Sequence, residues 1–459
     1  MTLRDLIDYD LDIEIDGIVD DSRLVKKNYI FVATKGFNVD HFDHIKDAID
    51  NGCVFLIVDR EIDFSFPHII VDNIDEYYKN LCLKFYDINL DDFSFIGITG
   101  TDGKTTTATI ISRLIPNSAY IGTNGLTING KTISTSNTTP CISELYRDLK
   151  SIKDAGIKTV VMEVSSEALL HNRVDNIKFD IVGFTNITGD HLNVHGSFEN
   201  YVKCKMKLLD LIKDDGYVVV NGDDVNLKSI ECQNMYSFGK ENVNYCIKSI
   251  SYDSKNVLIS LKCKDREYLI NSPLLGEYNV YNVVMAFIIS LLYGVNSNEI
   301  ISSIKKLEPI SGRCEVLDFG QDYTIILDYA HTINGVENIL DTFKGYSRII
   351  TVTGCAGGRE TSKRPIIGKM VIEKSDIAIF TMDDPRWEDV NTIIDEMVGD
   401  NLDYIRIIDR EEAINYALSI ASKGDVVLIL GKGRDNYMAI GDKKIKYNDY
   451  EVIKRYFEK

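Results

Sequence analysis

Eight short apolar runs, each closing on a polar or glycine-rich cluster, constrain this chain more than any other feature. Four lie mid-chain: FSFIGITGTDG (93–103), TVVMEVSS (159–166), IVGFTNITGDH (181–191) and YVVVNGDD (217–224). Four lie in the last third: TIILDYAH (324–331), RIITVTGC (348–355), IAIFTMDD (377–384) and VVLILGKG (426–433). Apolar runs of this length without alternation suit strands buried on both faces. Segments of helical period separate them, so both regions read as parallel α/β sheets. In such sheets ligands gather beyond the carboxyl ends of the strands, where these polar clusters fall.

Two sheets imply two domains, and a length of 459 residues leaves room for a third. Asp87–Asp92 reads as one linker and Leu307–Gly312, with Pro309 and Gly312, as another. The expected division is a smaller mixed domain over 1–90, a central domain over 91–310 and a C-terminal domain over 311–459. Strands are predicted in the first at 29–34, 54–58 and 68–71. The stretch 231–275 reads as β-rich elaboration ahead of a helix over 279–293.

With 51 basic and 70 acidic residues the net charge is −19. That excludes sequence-independent nucleic-acid binding and a basic membrane-surface face as main roles. Nine scattered cysteines, without a CxxC pair, read as reduced thiols and not as a disulfide framework. The acidic first residues do not resemble a signal peptide. The longest apolar stretch, Val283–Tyr293, falls far short of the roughly 20 residues of a bilayer span. A cytoplasmic protein without membrane insertion is expected. A monomer is expected too, with no sequence feature behind it.

Gly100-Thr101-Asp102-Gly103-Lys104-Thr105-Thr106 follows a predicted strand and precedes a helix. Glycines let backbone N–H groups close on phosphate oxygens, Lys104 brings a point charge, and the Thr105 hydroxyl suits Mg²⁺. The spacing departs from G-x4-GK[ST], because Ile98 stands at the first glycine position. The loop implies a nucleoside triphosphate and leaves kinase, switch and ligase open. The bland alternative is a glycine-rich turn that binds nothing.

Lys205 stands out for its position. At about 100° per residue, Phe198, Tyr201, Leu208, Leu209 and Ile212 share one helix face with Lys205 at its centre. Burial lowers a lysine's pKa and exposes the neutral amine to CO2. The alternative is a lysine that snorkels to water.

GTDGKTTT and the stretches after it are similar to the Mur ligase family. The matching segments include DSRLVKKNYIFVATKGFNVD (21–40), SNTTP (136–140), MEVSSEAL (162–169), FTNITGDHLNVHGSFENYVKCK (184–205), GEYNVYN (276–282), GRCEV (312–316), LDYAHT (327–332), GCAGGRETSKRP (354–365), DDPRWED (383–389) and GKGRD (431–435). In order, they cover nearly the whole chain. They most resemble the family members that add a diamino acid to UDP-MurNAc-L-Ala-D-Glu. The resemblance implies three domains: one for the uridine nucleotide, one for ATP and one for the incoming amino acid. It also implies acyl-phosphate chemistry, in which cations and oriented donors matter more than a nucleophilic side chain.

The same resemblance implies the site. Thr105, Glu163, His191 and a carbamylated Lys205 would hold Mg²⁺, with Lys104, Lys205, His191 and Glu163 carrying the chemistry. Asn279 and Asn282 would approach the ATP base or ribose, with Arg313, Asp328 and His331 reaching the nucleotide. Ser22 matches a uridine contact, and Asn137, Thr138, Thr139, Ser166 and Arg173 match contacts to the muramoyl dipeptide. Three departures stand out: Asp102 replaces a usual Asn, Glu167 a His, and His171 a Gln.

Asp383-Asp384-Pro385-Arg386 corresponds to the family's amino-acid selector. Arg386 suits the distal carboxylate of diaminopimelate, which lysine lacks, and pairing with Glu388 or Asp389 is the structural alternative. Asp384 and Asp435 suit an ammonium. Arg359, Arg364 and Gly431 are further candidates around this amino acid. The cost of an unpaired buried Arg386 tips the expectation slightly toward diaminopimelate. Two readings compete: a paralogue acting on another carboxylate such as a folate or polyglutamate chain, and a P-loop ATP-binding regulator without ligase activity.

Overall fold

The structure, a computed structural model, describes residues 1–35, 40–189, 192–252 and 256–458. It gathers into two compact units. One comprises 1–99, 115–182 and 204–217, and the other 100–114, 183–203 and 218–459.

The first unit opens with four strands, β1 (Gly17–Val19), β2 (Tyr29–Val32), β3 (Cys53–Val58) and β4 (His68–Ile70), paired in that order and all parallel. Phe31, Leu56 and Val58 are buried between this sheet and the helix Ile45–Asp50. Further along come β5 (Ser94–Thr99), β6 (Ser118–Gly122), β7 (Gly125–Ile128), β8 (Lys131–Ile133), β9 (Thr159–Glu163) and β10 (Phe179–Phe184). Their order is β10-β5-β9-β6-β7-β8. β5, β9 and β6 are parallel, and β6-β7-β8 form antiparallel hairpins. Every residue of β9 is buried, which explains its unbroken apolar sequence. The helix Ile142–Asp154 buries Leu145, Tyr146, Leu149 and Ile152 at helical spacing.

The second unit holds β11 (Ile212–Asn221) from Val218 onward. β12 (Met235–Gly239), β13 (Tyr245–Tyr252), β14 (Val257–Cys263) and β15 (Arg266–Ser272) follow it in sheet order. The β-rich reading of 231–275 holds. β13, β14 and β15 pair antiparallel, and the helix Glu277–Leu292 comes next, with eight consecutive residues buried from Val283 to Ser290. A six-stranded sheet then forms from β16 (Glu315–Leu317), β17 (Thr324–Asp328), β18 (Ile349–Thr353), β19 (Ile377–Phe380), β20 (Ile405–Arg406) and β21 (Val426–Leu430), in the order β16-β17-β21-β18-β19-β20. All its pairs are parallel except β16 with β17. Two apolar cores cover its faces. A final hairpin joins β22 (Tyr437–Ile440) to β23 (Lys443–Lys446).

Buried Arg410 fixes the end of β21. It donates to Asp449 at 2.9 and 2.8 Å and to the Leu430 carbonyl at 2.9 Å, with neither charged side chain exposed. The β21 carboxyl end, where Gly431-Lys432-Gly433 begins, is thereby anchored. No described helix is long and apolar enough to cross a membrane.

Candidate active site

The phosphate loop sits directly ahead of the helix Lys104–Leu114, whose first N–H groups lack intrahelical partners and suit an anion. Gly100 has φ +146°, and a Cβ there would strike the Thr185 hydroxyl. Gly103 has φ +84°, and a Cβ there would strike the Asn282 side chain. Both positions therefore need glycine for conformation and for room.

The loop is laced to the strand-end segment 185–188. The Thr101 amide donates to the Asn186 carbonyl at 2.8 Å, and the Asp102 amide donates to Asn186 Oδ1 at 2.9 Å. Thr185 Oγ1 and Asn186 Nδ2 donate to the Asp102 carbonyl at 2.6 and 3.1 Å. The Thr101 hydroxyl lies 3.0 Å from that of Tyr201. Lys104 Nζ donates to the carbonyls of Gly100 and Thr101 at 2.9 and 2.8 Å. Its ammonium thus already lies over the loop.

A cavity of about 910 Å³ opens beside the loop, lined among others by Gly103, Thr106, Asn282, Arg313, Asp328 and His331. That volume suits a large ligand. Asn282 Oδ1 accepts from Thr107 Oγ1 at 3.2 Å, and Asn282 Nδ2 donates to Asn279 Oδ1 at 3.1 Å. Arg313 stacks its guanidinium 4.8 Å from the Tyr329 ring centre and donates to Thr105 Oγ1 at 3.1 Å. Its Nε is buried without a hydrogen-bond partner. An orphaned cationic donor on a cavity wall fits an anionic ligand such as a phosphate chain. Asp328 accepts from the amides of Cys314 and Ala330 at 2.5 and 2.6 Å. Burial raises its pKa, against the pull of Arg313 and these amides. His331 is exposed, with Nδ1 2.7 Å from the Tyr329 carbonyl.

A second group lies in the first unit. Glu163, fully buried at the end of β9, accepts from the Tyr120 hydroxyl at 2.5 Å and the Thr123 amide at 2.8 Å. Thr123 Oγ1 lies 3.1 Å from Thr138 Oγ1. Thr139 donates to the Glu163 carbonyl at 2.9 Å, and Arg173 donates to the Thr139 carbonyl at 3.1 Å. Thr138, Thr139, Glu163 and Arg173 therefore share one network. Ser166 starts a short helix capped by Ser165, and its carbonyl accepts from Cys204 Sγ at 3.1 Å. Asn137 is exposed beside Ser136. Ser22 is buried in a 3-10 turn, its carbonyl held by Asn51 at 2.9 Å.

Lys205 is 1% exposed and ranks among the largest fully buried side chains. Tyr201 and Leu208 are buried with it, whereas Lys203 and Lys207 are exposed. The predicted helix face ends sooner than expected, however. The α-helix stops at Met206, a 3-10 turn covers Lys207–Leu211, and Ile212 starts a strand. Leu209 and Ile212 are only half-buried as a result. His191 lies outside the described residues.

The selector segment follows β19. Arg386 has φ +54°, a conformation that costs a non-glycine residue energy and is kept where surrounding structure enforces it. Its amide donates to the Ala439 carbonyl at 3.0 Å, and its carbonyl accepts from the Gly441 amide at 2.6 Å. Among the described residues no carboxylate pairs with its guanidinium. Glu388 binds Arg364 at 2.8 Å and the Gly358 amide at 2.5 Å, and Asp389 caps the helix Val390–Val398. Arg364, an expected substrate contact, has no exposed side chain and ties Glu388 and Glu396 together. Lys432, unexposed, lies 2.8 Å from Asp384, 3.4 Å from Asp435 and 4.0 Å from Asp383. Burial raises the pKa of Asp435, with Lys432 opposing. The Gly431 amide donates to the Asp328 carbonyl at 3.0 Å.

Tyr120, Thr123, Thr332 and Lys432 escaped the sequence reading as site residues. Thr332 and Lys432 stand inside quoted segments, whereas Tyr120 carries no local signal.

Residues 98–290 match the family described as the Mur ligase middle domain, and residues 312–433 match the Mur ligase glutamate ligase domain. A curated relative from Fusobacterium nucleatum, a UDP-N-acetylmuramoyl-L-alanyl-D-glutamate–2,6-diaminopimelate ligase, is 36% identical, covering 98% of this chain and 95% of its own. The chain belongs to the Mur ligase family. A Staphylococcus epidermidis relative of this Mur ligase, named an L-lysine ligase, is 33% identical over 96% of this chain and 92% of its own. A solved 2,6-diaminopimelate ligase structure superposes with a TM-score of 0.65 at 25% identity, covering 100% and 99% of the two chains. A Thermotoga maritima MurF ligase solved with ADP gives 0.68 at 19% identity, covering 90% and 93%. The α/β fold with parallel sheets agrees with the sequence reading, as does membership of a ligase family.

Proposed function

We propose that this Mur ligase joins a diamino acid, diaminopimelate in preference to lysine, to UDP-MurNAc-L-Ala-D-Glu at the expense of ATP. The acceptor carboxylate takes the terminal phosphoryl group and ADP departs. The amine then attacks the acyl carbon, phosphate leaves, and a proton is lost from nitrogen. Charge builds on phosphoryl and then on tetrahedral oxygen, so fixed cations and oriented N–H groups carry the catalysis.

In this reading Gly100, Thr101, Asp102, Gly103, Lys104, Thr105 and Thr106 hold the phosphate chain, with Arg313 set against it. Asn279 and Asn282 face the nucleoside, and Asp328 and His331 complete that wall. Thr138, Thr139, Ser166 and Arg173 receive the anionic acceptor peptide, with Asn137 beside them and Ser22 on the uridine. By the family resemblance, Thr105, Glu163, His191 and a carbamylated Lys205 are the residues that would hold Mg²⁺, an ion suited to oxygen donors that would neutralise phosphate charge when bound. The burial of Lys205 supports this assignment.

One observation carries the choice of amino acid. Among the described residues Arg386 has no carboxylate partner, and Glu388 is engaged by Arg364. A guanidinium fork held in a strained backbone suits the distal carboxylate of diaminopimelate. Asp384 and Asp435 already share the Lys432 ammonium, which weakens the case for them as a lysine site. The test is direct competition of diaminopimelate and lysine with ATP and UDP-MurNAc-L-Ala-D-Glu, read by mass spectrometry of the nucleotide product. Equal or higher kcat/KM for lysine would refute the preference.

A further inference from the structure

Asp102 poses a physical problem. It places a carboxylate inside a loop whose backbone suits phosphate, where negative charge repels the ligand. The geometry answers it. Asp102 Oδ1 accepts from Thr332 Oγ1 at 3.1 Å, and Asp102 Oδ2 lies 3.4 Å from Asn334 Nδ2. Thr332 is the N-cap of the helix Ile333–Phe343, where its hydroxyl oxygen accepts from the Gly335 amide at 2.9 Å. Accepting there turns the hydroxyl proton toward Asp102. The positive end of that helix faces the same carboxylate. The charge is thus aimed at the 332–335 turn.

This turn directly follows Asp328, Tyr329 and His331, which line the cavity together with Asp102 and Asn334. Seating the turn on Asp102 seats those side chains on the nucleotide wall. We infer that Thr332 and Asn334 are positioning residues for the nucleotide half of the reaction, acting through Asp102 as a clasp between the phosphate loop and the segment 328–334. The inference rests on the ligase reading only for its activity measurements.

A charge-swap cycle tests it. Asn334→Asp sets two carboxylates against each other, and Asp102→Asn keeps an acceptor for Thr332. In Asp102→Asn/Asn334→Asp the donor and acceptor trade places. KM for ATP should rise roughly tenfold in Asn334→Asp, the order expected of coupled neighbours. It should return to within about threefold of the parent in the double variant, with KM for the amino acid little moved throughout. Amide hydrogen exchange over 329–338 in the ligand-free chain should speed up in Asn334→Asp and recover in the double variant. Exchange is independent of which acceptor is ligated, so a failed ligation assay with this pattern intact counts against the substrate reading alone. Parent-like KM and exchange in Asn334→Asp, or a double variant no better than that single one, would overturn the clasp. Thermal unfolding of each variant identifies any general loss of fold, and an Asn334→Asp chain that unfolds is replaced by Thr332→Val, with the same exchange readout.

Discussion

Arg364 holds Glu388 at 2.8 Å, and in doing so removes from Arg386 the carboxylate two positions along the chain. A surface arginine would lose little by this. Arg386 is half-buried and its backbone is fixed from both sides, so its guanidinium is presented without a carboxylate partner among the described residues. Arg386→Ala should lower kcat/KM for diaminopimelate by roughly one to two orders of magnitude, the worth of a charge-assisted contact. Lysine turnover should change far less. Steady-state kinetics with both amino acids check this, and a parallel loss for the two would show that Arg386 merely supports the loop.

The second prediction concerns Lys205, buried to 1% exposure. Lys205→Ala should reduce ligation by on the order of a hundredfold, the effect expected when a metal-site group is lost. Added short carboxylates should restore part of it by occupying the space of the carbamate. Carbon NMR of the parent protein with labelled bicarbonate gives an independent signal. A variant with full activity, or a parent without that signal, would remove the carbamate role.

What the sequence made legible was local. Each of the eight apolar runs overlaps a strand, because burial on both faces leaves a mark in consecutive residues. The phosphate loop was equally readable, since its glycines and Lys104 act within a few positions. The burial of Lys205 followed from helical spacing up to Met206, where the helix ends and the same arithmetic misplaces Leu209 and Ile212. Contacts across long stretches left no such mark. Tyr120 reaches Glu163 across 43 residues and Thr332 reaches Asp102 across 230, and nothing near either residue announces its partner. The engagement of Arg364 by Glu388 and Glu396 belongs to the same class. It pairs Arg364 with carboxylates 24 and 32 residues away.

The Arg410–Asp449 pair makes a third prediction, about stability. Both side chains are unexposed, and Tyr447 adds a hydrogen bond to Asp449 at 2.9 Å. Asp449→Ala leaves a buried guanidinium without its counterion, which costs about 3–5 kcal/mol. Because Arg410 also holds the Leu430 carbonyl, the damage should spread to the Gly431–Asp435 loop. Urea unfolding should give the loss, and amino-acid KM should rise in the folded fraction. A midpoint unchanged within error would mean that the interior solvates Arg410 by other means.

Asp148 gives the final prediction. It lies on the helix Ile142–Asp154, 5% exposed, with Oδ2 buried and without a hydrogen-bond partner and Arg147 3.9 Å from Oδ1. Burial pushes its pKa from 3.8 up to about 7, with Arg147 opposing weakly. The folded chain therefore holds a proton that the unfolded chain has released between these two values. Stability must fall as pH rises through that window and level off above it. The shift corresponds to an upper bound of about 4 kcal/mol, at 1.36 kcal/mol per pH unit. Asp148→Asn, neutral at every pH, should be more stable than the parent at pH 8 and close to it near pH 4. Thermal unfolding at the two pH values measures the difference. A stabilisation equal at both would mean that packing, not charge, distinguishes the two side chains.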